Sequence, residues 1–353
     1  MFVLRSILIF IFIASLLFFQ YSCIDEVSFP VSELKAGMNI SGFITDSLFF
    51  QKITVRSTSG VGYGASVDGK PISGARVTIV SNQGISTPFN ELFQSGDYVA
   101  YFKPEYGVTY QLKVVLADGH TYQSSPQLAS PLKPAFSISS RLIRTPLLNT
   151  NQVIRDIEEV GLILNTTLMS GNTPLYAMYR VSGEYALLED AILMTRKTCY
   201  IKENLDYNNL QVFGGSALPG GIVHDAILYK TVADDRFYDQ YCFHVDQYMV
   251  DQSTYLYFDK VRQLLQPGSN VFVSPPGYIR GNIFNVSDSS ERVAGYFFIG
   301  TKNSQLHFAN ASNLGTQVEY RCYVKDPNQV EAKECFECLI LANSSRTRPS
   351  YWK

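Results

Sequence analysis

Tryptophan is nearly absent, with one in 353 residues, and histidine is scarce, with four. Charged residues make up 17% of the chain and the formal net charge is −2. There is neither the basic excess that suits nucleic acid nor the acidic tail that buffers cations. Catalytic short motifs are missing as well: no G-x-S-x-G elbow, HExxH pair, GxGxxG turn or Walker loop occurs. His120, His224, His244 and His307 are too far apart in sequence to form a metal pair on one helix or strand. His224–Asp225 and His244–x–Asp246 suggest general bases, yet unpartnered histidines in β segments are read first as packing or surface residues. These gaps leave no catalytic residue, metal ligand set or cofactor to name, and the expectation is a protein that is not an enzyme.

A second long hydrophobic run is also lacking. The one that exists, Ser6 to Phe19, follows Arg5 at the N-terminus and falls short of the ~20 residues a membrane-spanning helix needs. It reads as the apolar region of a secretory signal over 1–22. The run closes on Ser22–Cys23, a small residue before a cysteine, as in bacterial lipoproteins whose cysteine is acylated and becomes the first residue. Gln20 and Tyr21 depart from the strict form of that motif. The expectation is lipid attachment at Cys23, firm because more than one acyl chain is added. The competing reading is an ordinary signal with Cys23 as a structural cysteine. Residues 23–36 then form a tether, with Asp25 and Glu26 as its acidic start.

What remains is about 330 residues, roughly two domains at ~150 each. It is rich in ring side chains, with 23 Tyr and 23 Phe, and tyrosine with valine and threonine favours strands. Once Cys23 is set aside, Cys199, Cys242, Cys322, Cys335 and Cys338 remain. In an exported chain suitable pairs oxidise. An odd number leaves at least one thiol free or paired outside the chain. "CFEC" (335–338) has the spacing of zinc knuckles and redox motifs. Zinc wants a second pair, however, and a redox motif belongs at a helix start in a βαβ unit. Structural disulfides are the preferred reading, with Cys322 and Cys199 as partners for the tail pair, although spacing does not determine connectivity.

Residues 37–127 alternate short β-prone runs with turns, including "PISGARVTIVSNQG" (71–84) and a hairpin at Ala117–Asp118–Gly119. Such spacing indicates a sandwich. "SSPQLASPLKP" (124–134) has linker composition, so a linker is placed at 128–134. Residues 135–353 are again mostly strand, as in "LYAMYRVSGEYALL" (175–188) and "QYCFHVDQYMV" (240–250). One segment differs. "DQSTYLYFDKVRQLLQPG" (251–268) has capping residues Asp251 and Ser253, apolar residues Tyr257, Val261, Leu264 and Leu265, and a stop at Pro267–Gly268. This predicts an amphipathic helix near 253–266, packed on a sheet. "ADDR" (233–236) is read as a solvated acidic loop, and "GGSALPGG" (214–221) as a flexible loop suited to a lid or partner contact.

Taken in order, "PISGARVTI", "GDYVAYF", "GVTYQLKVVLADGHTYQS", the helix, "GNIFN", "VAGYF" and "CFEC…TRPSYW" resemble a Bacteroidota family of outer-membrane lipoproteins of unknown function (DUF4249-type). Members are often encoded beside TonB-dependent transporters. The resemblance implies a mostly β fold, with an N-terminal immunoglobulin-like or carboxypeptidase-regulatory-like sandwich and a second β-rich domain carrying one helix. It also implies an outer-membrane, lipid-anchored location on the cell-surface face, with Asp25 and Glu26 as the export signal. No chemistry is carried over. Gly281, Asn282 and Gly295 are read as turn and close-packing positions. The leading expectation is a non-enzymatic accessory that captures a ligand for a TonB-dependent transporter or caps it, with the membrane and that transporter as partners. A structural or adhesive envelope protein comes second, and a hydrolase using a carboxylate pair third.

Overall fold

The computed structural model describes residues 37–47, 50–57, 69–148, 154–189, 197–203, 205, 210–265, 279–322 and 332–352. The leader over 1–22, the tether over 23–36 and the helix stop at Pro267–Gly268 lie outside them. The chain is mostly β. Among the described residues, no helix is long and apolar enough to cross a membrane.

Strands of three residues or more are numbered here in chain order. The first unit contains β1 (Met38–Thr45), β2 (Phe50–Ser57), β3 (Arg76–Ser81), β4 (Ser86–Leu92), β5 (Asp97–Tyr101), β6 (Thr109–Val115) and β7 (Thr121–Ser124). Their side chains alternate, as period-2 strands with one buried face must. Met38, Ile40 and Ile44 of β1 point inward, as do Gln51, Ile53 and Val55 of β2. Pairing runs β1–β2–β5–β4–β3–β6–β7, all antiparallel. Around the ring the inward residues Ile40, Ile53, Ile79, Leu112 and Val114 form one core.

The sandwich does not end at Gln127. It is completed by β15 (Ile283–Asn285), which pairs with β7, and by the first residues of β16 (Phe297–Ala309), which run parallel to β1 in the register Gly42↔Phe297 to Thr45↔Gly300. Asn282 closes the seam between them: its Oδ1 accepts from Phe297 N–H at 2.9 Å and its Nδ2 donates to Phe297 O at 2.6 Å. Gly295 makes the approach feasible. It sits at φ +93, and a Cβ there would lie 2.0 Å from Ile40 O.

The second unit contains β8 (Phe136–Leu148), β9 (Ile154–Thr167), β10 (Tyr176–Leu188), β11 (Thr198–Glu203), β12 (Gln211–Gly214), β13 (Ile222–Val232) and β14 (Tyr241–Val250). β14 lies between β10 and the C-terminal half of β16, while β11 and β12 take the other side of β10. A three-stranded sheet, β8–β9–β13, packs over the inner face. Val160, Leu162, Leu164, Tyr179, Phe243 and Val245 fill the space between.

Strand β16 therefore belongs to both units. Phe297 and Ile299 enter the sandwich core and Ala309 enters the second core, while Phe298 points to the opposite face. The segment expected to be a linker is packed against this same strand. Ala129 is buried, Leu132 O accepts from Thr301 Oγ1 at 2.8 Å, and Lys133 pairs with Asp46. Burial alone would raise the Asp46 carboxyl. Hydrogen bonds from Lys133, the Lys302 N–H and Tyr106 instead hold it below the usual range. The segment is thus pinned at both ends, by Ala129 N–H on Val108 O and by Leu132 O on β16.

The predicted helix is α1 (Gln252–Leu265). Asp251 caps it, accepting from Thr254 N–H at 2.7 Å. Its buried face is Thr254 and Phe258, with Tyr257 and Val261 half-buried, whereas Leu264 and Leu265 are exposed. The face differs from expectation because the pocket is aromatic: Phe258 sits among Phe43, Tyr296 and Phe298.

Gly119 also has φ +93, but a Cβ there would meet open space. Gly119→Ala is therefore expected to cost about 1 kcal/mol. Gly295→Ala is expected to cost about 3 kcal/mol or prevent folding, because backbone must shift. Urea denaturation of the two variants measures the difference, and equal midpoints would contradict the tight seam.

Candidate functional site

The outer face of the large sheet holds the one place among the described residues where cysteine, histidine and carboxylate meet on neighbouring strands. Cys242 and His244 are two apart on β14 and so share a face. Opposite them on β10 stand Glu184 and Ser182. Glu184 is 1% exposed, lies 3.3 Å from His244 Nε2 and accepts a hydrogen bond from Tyr351 OH. Tyr351 and Trp352 come from the C-terminal tail. Trp352 packs edge-on against Tyr200 and Phe308, at 5.1 and 5.9 Å between ring centroids, and covers Cys242.

These are the residue types of a thiol nucleophile site in an arrangement that works against one. A reactive cysteine needs a neighbouring cation or helix N-terminus to stabilise its thiolate. Burial, and then the Glu184 charge, push the Cys242 thiol up to about 12, so it is a neutral, buried group. The chemistry that the cluster supports is holding the tail down.

The cysteines continue that theme. Cys199 on β11 is bonded to Cys338, and Cys322 to Cys335, with Cα–Cα separations of 5.9 and 5.3 Å. Each cysteine of "CFEC" thus takes a different partner, the two lying in successive 3₁₀ turns, Lys333–Cys335 and Cys338–Ile340. Cys242 is left unpaired. Glu189 lies beside Cys199 and Cys338 as a potential ligand group, but both sulfurs are committed to one bond. The Glu189 carboxylate instead accepts from Cys338 N–H at 3.0 Å and from Arg346 at 2.8 Å.

The two loops read from sequence as mobile or solvated are both packed. Arg236 of "ADDR" bonds Glu203 at 2.8 Å and Asp234 at 2.8 Å, while Asp235 pairs with Arg321. Glu203 also accepts from Tyr241 OH at 2.6 Å. A long guanidinium with partners on two elements orders the segment, which acidic composition alone does not reveal. "GGSALPGG" forms two 3₁₀ turns stitched to the core: Gly215 N–H donates to Leu175 O and Leu168 N–H to Gly221 O, each at 2.8 Å. Its glycines serve close approach to Leu168 and Met169, a use that sequence alone does not separate from flexibility.

His120 and His224 are exposed beside Asp118 and Asp225. His307 is half-buried, 2.9 Å from Ser140 Oγ, with its pKa lowered by burial. The four histidines do not converge. Cys23, Asp25 and Glu26 lie outside the described residues. Exposed rings gather on the sandwich: Phe50 and Tyr101 pair across β2 and β5 at 5.2 Å, and Phe93 stands alone at 91% exposure. Sequence reasoning missed these, because strand parity assigns a face only once the sheet is known.

A family model described as a domain of unknown function (DUF4249) matches residues 24–305. No curated protein and no solved structure matches the chain.

Removing the tail's cover should expose the buried thiol. At pH 8 without reductant, the native chain is expected to resist iodoacetamide, and Trp352→Ala to be alkylated at Cys242 at least ~10-fold faster. Peptide mass spectrometry reads the rates, and equal rates would contradict the assigned lock.

Proposed function

We propose, for a chain that belongs to the family described as a domain of unknown function (DUF4249), a role as a lipid-anchored cell-envelope protein without catalytic chemistry of its own. In this reading it is an accessory on the outer-membrane surface that captures a ligand for a TonB-dependent transporter or caps it. The observation that carries the proposal is the junction at Ser22–Cys23: an apolar run behind Arg5 stops there, and Asp25 and Glu26 follow.

Three features of the body support it. Two disulfides suit an exported chain, since such bonds persist in oxidising compartments. The Cys242–His244–Glu184 cluster is engaged in fixing the tail, with its thiol protonated. The exposed rings Phe50, Tyr101 and Phe93 offer contact area on one unit. A second reading, a rigid envelope spacer, is favoured by the strand common to both units.

Intact mass spectrometry of the native protein extracted in mild detergent tests the anchor. The expected mass is that of a chain beginning at an acylated Cys23. Under denaturing, non-reducing conditions it should show one titratable thiol, that of Cys242. A bare Cys23, with a second thiol, would contradict the proposal. Co-purification separates the two roles: a transporter recovered with the tagged protein supports the accessory, and recovery without one supports the spacer.

A further inference from the structure

Among the described residues, four non-glycine residues adopt a left-handed backbone: Phe93, Gln94, Asp225 and Asn343. Asparagine and aspartate are tolerated there, but a bulky residue is an outlier. Phe93 and Gln94 are also consecutive, at φ 49 and 52, in the turn between β4 and β5. Ser95 N–H donates to Leu92 O at 3.1 Å across them. Two left-handed residues in succession inside a hairpin connection are ordinarily Asn-Gly or another glycine-containing pair. The flanks impose the conformation here. Gly96 O accepts from Val55 N–H at 2.8 Å, and the Glu91 carboxylate accepts from Ser73 Oγ, Gly74 N–H and Gly96 N–H.

The strain gains nothing inside the fold, because the ring it presents is the most exposed large apolar side chain described. Strain kept at a surface position points to a contact outside the chain. The register shows where that contact lies. Gly96 touches Val55, Val55 is opposite Ile40, and Ser57 is opposite Met38, the first residue of β1. The Phe93 tip therefore projects from the end of the sandwich at which the chain enters from its N-terminal side. Val286, 53% exposed, lies at the same end, with its N–H bonded to Thr121 O where β7 begins.

We propose that Phe93 is a membrane-contact residue, seating the chain-entry end of the sandwich in the headgroup–acyl boundary of a lipid bilayer. The inference rests on the lipid-anchor reading. Gly37 lies only 14 residue steps after Cys23, and at ~3.5 Å a step they span at most ~50 Å. A bilayer holding Cys23 is thus within reach of this end of the molecule. An exposed apolar ring and an exposed valine at one end of the sandwich suit the acyl boundary, where aromatic and aliphatic side chains insert.

The test uses the full-length protein as purified from its native membrane. Trp352, 7% exposed beneath the tail, is the sole native tryptophan, so Phe93→Trp adds a second emitter at the tip. The protein is mixed with vesicles of phosphatidylethanolamine and phosphatidylglycerol carrying brominated acyl chains. The added emission is expected to shift to the blue and lose at least half its intensity, while wild-type emission stays unchanged. Added emission that stays water-like and unquenched would overturn the proposal. Phe93→Gly guards against a folding artefact. It is expected to raise the denaturation midpoint by relieving the left-handed strain, and to abolish the vesicle-dependent protection of amides 92–95. Protection that persists in Phe93→Gly also overturns it. Intact mass reports acylation at Cys23 separately, so an unacylated chain breaks the anchor reading, whereas an acylated chain with an unquenched tip breaks only this one.

Discussion

One strand, Phe297–Ala309, holds the molecule in its observed shape. Its first four residues run parallel to Met38–Thr45 and the rest run antiparallel to Tyr241–Val250. A strand cannot slip by one residue without turning every side chain to the wrong face. Phe297 and Ile299 in one core and Ala309 in the other thus fix each other's register. Everything near the junction is fastened to this beam. Gln305 donates to Phe136 O, Thr301 to Leu132 O, and Lys302 N–H to Asp46. The aromatic side of the same strand, Phe298, receives the helix through Phe258 and Phe43.

The polar clusters make sense against that frame. A buried charge without a partner is expensive, so buried charges appear in pairs and networks. Here the networks fall where the chain must be pinned: Arg236 with Glu203 and Asp234 before β14, Arg321 with Asp235, and Arg346 with Glu189 in the tail. The tail carries little secondary structure of its own. Two disulfides, the Glu189 acceptor and the Trp352 ring hold it. Side chains capable of chemistry, Glu189 and the four bonded cysteines, thereby serve to hold the tail in place.

Local features were legible in the amino-acid order. Asp251 announces the helix start, Ala117–Asp118–Gly119 the hairpin, and the alternating runs the β class. Features that depend on distant partners were not. Strand 136–148 carries three serines and Pro146 and resembles a loop until Ile154–Thr167 pairs along its whole length. The division at 127 followed composition, whereas the sandwich is closed from far down the chain, through Asn282 and β16. The helix face was assigned to Tyr257, Val261, Leu264 and Leu265, whereas the side chains it buries are Thr254 and Phe258. Phe93–Gln94 carries no turn signature, because the turn is imposed by Gly96 and Glu91 against their neighbours. The group at Cys242 was hidden because its cover comes from the last residues of the chain.

If one strand makes two β units a single mechanical body, they must melt together. Scanning calorimetry of the whole chain tests this most directly. The account predicts one endotherm whose calorimetric and van't Hoff enthalpies agree, as for a single cooperative unit. Two separated transitions, with the sandwich surviving after the second unit has unfolded, would contradict it.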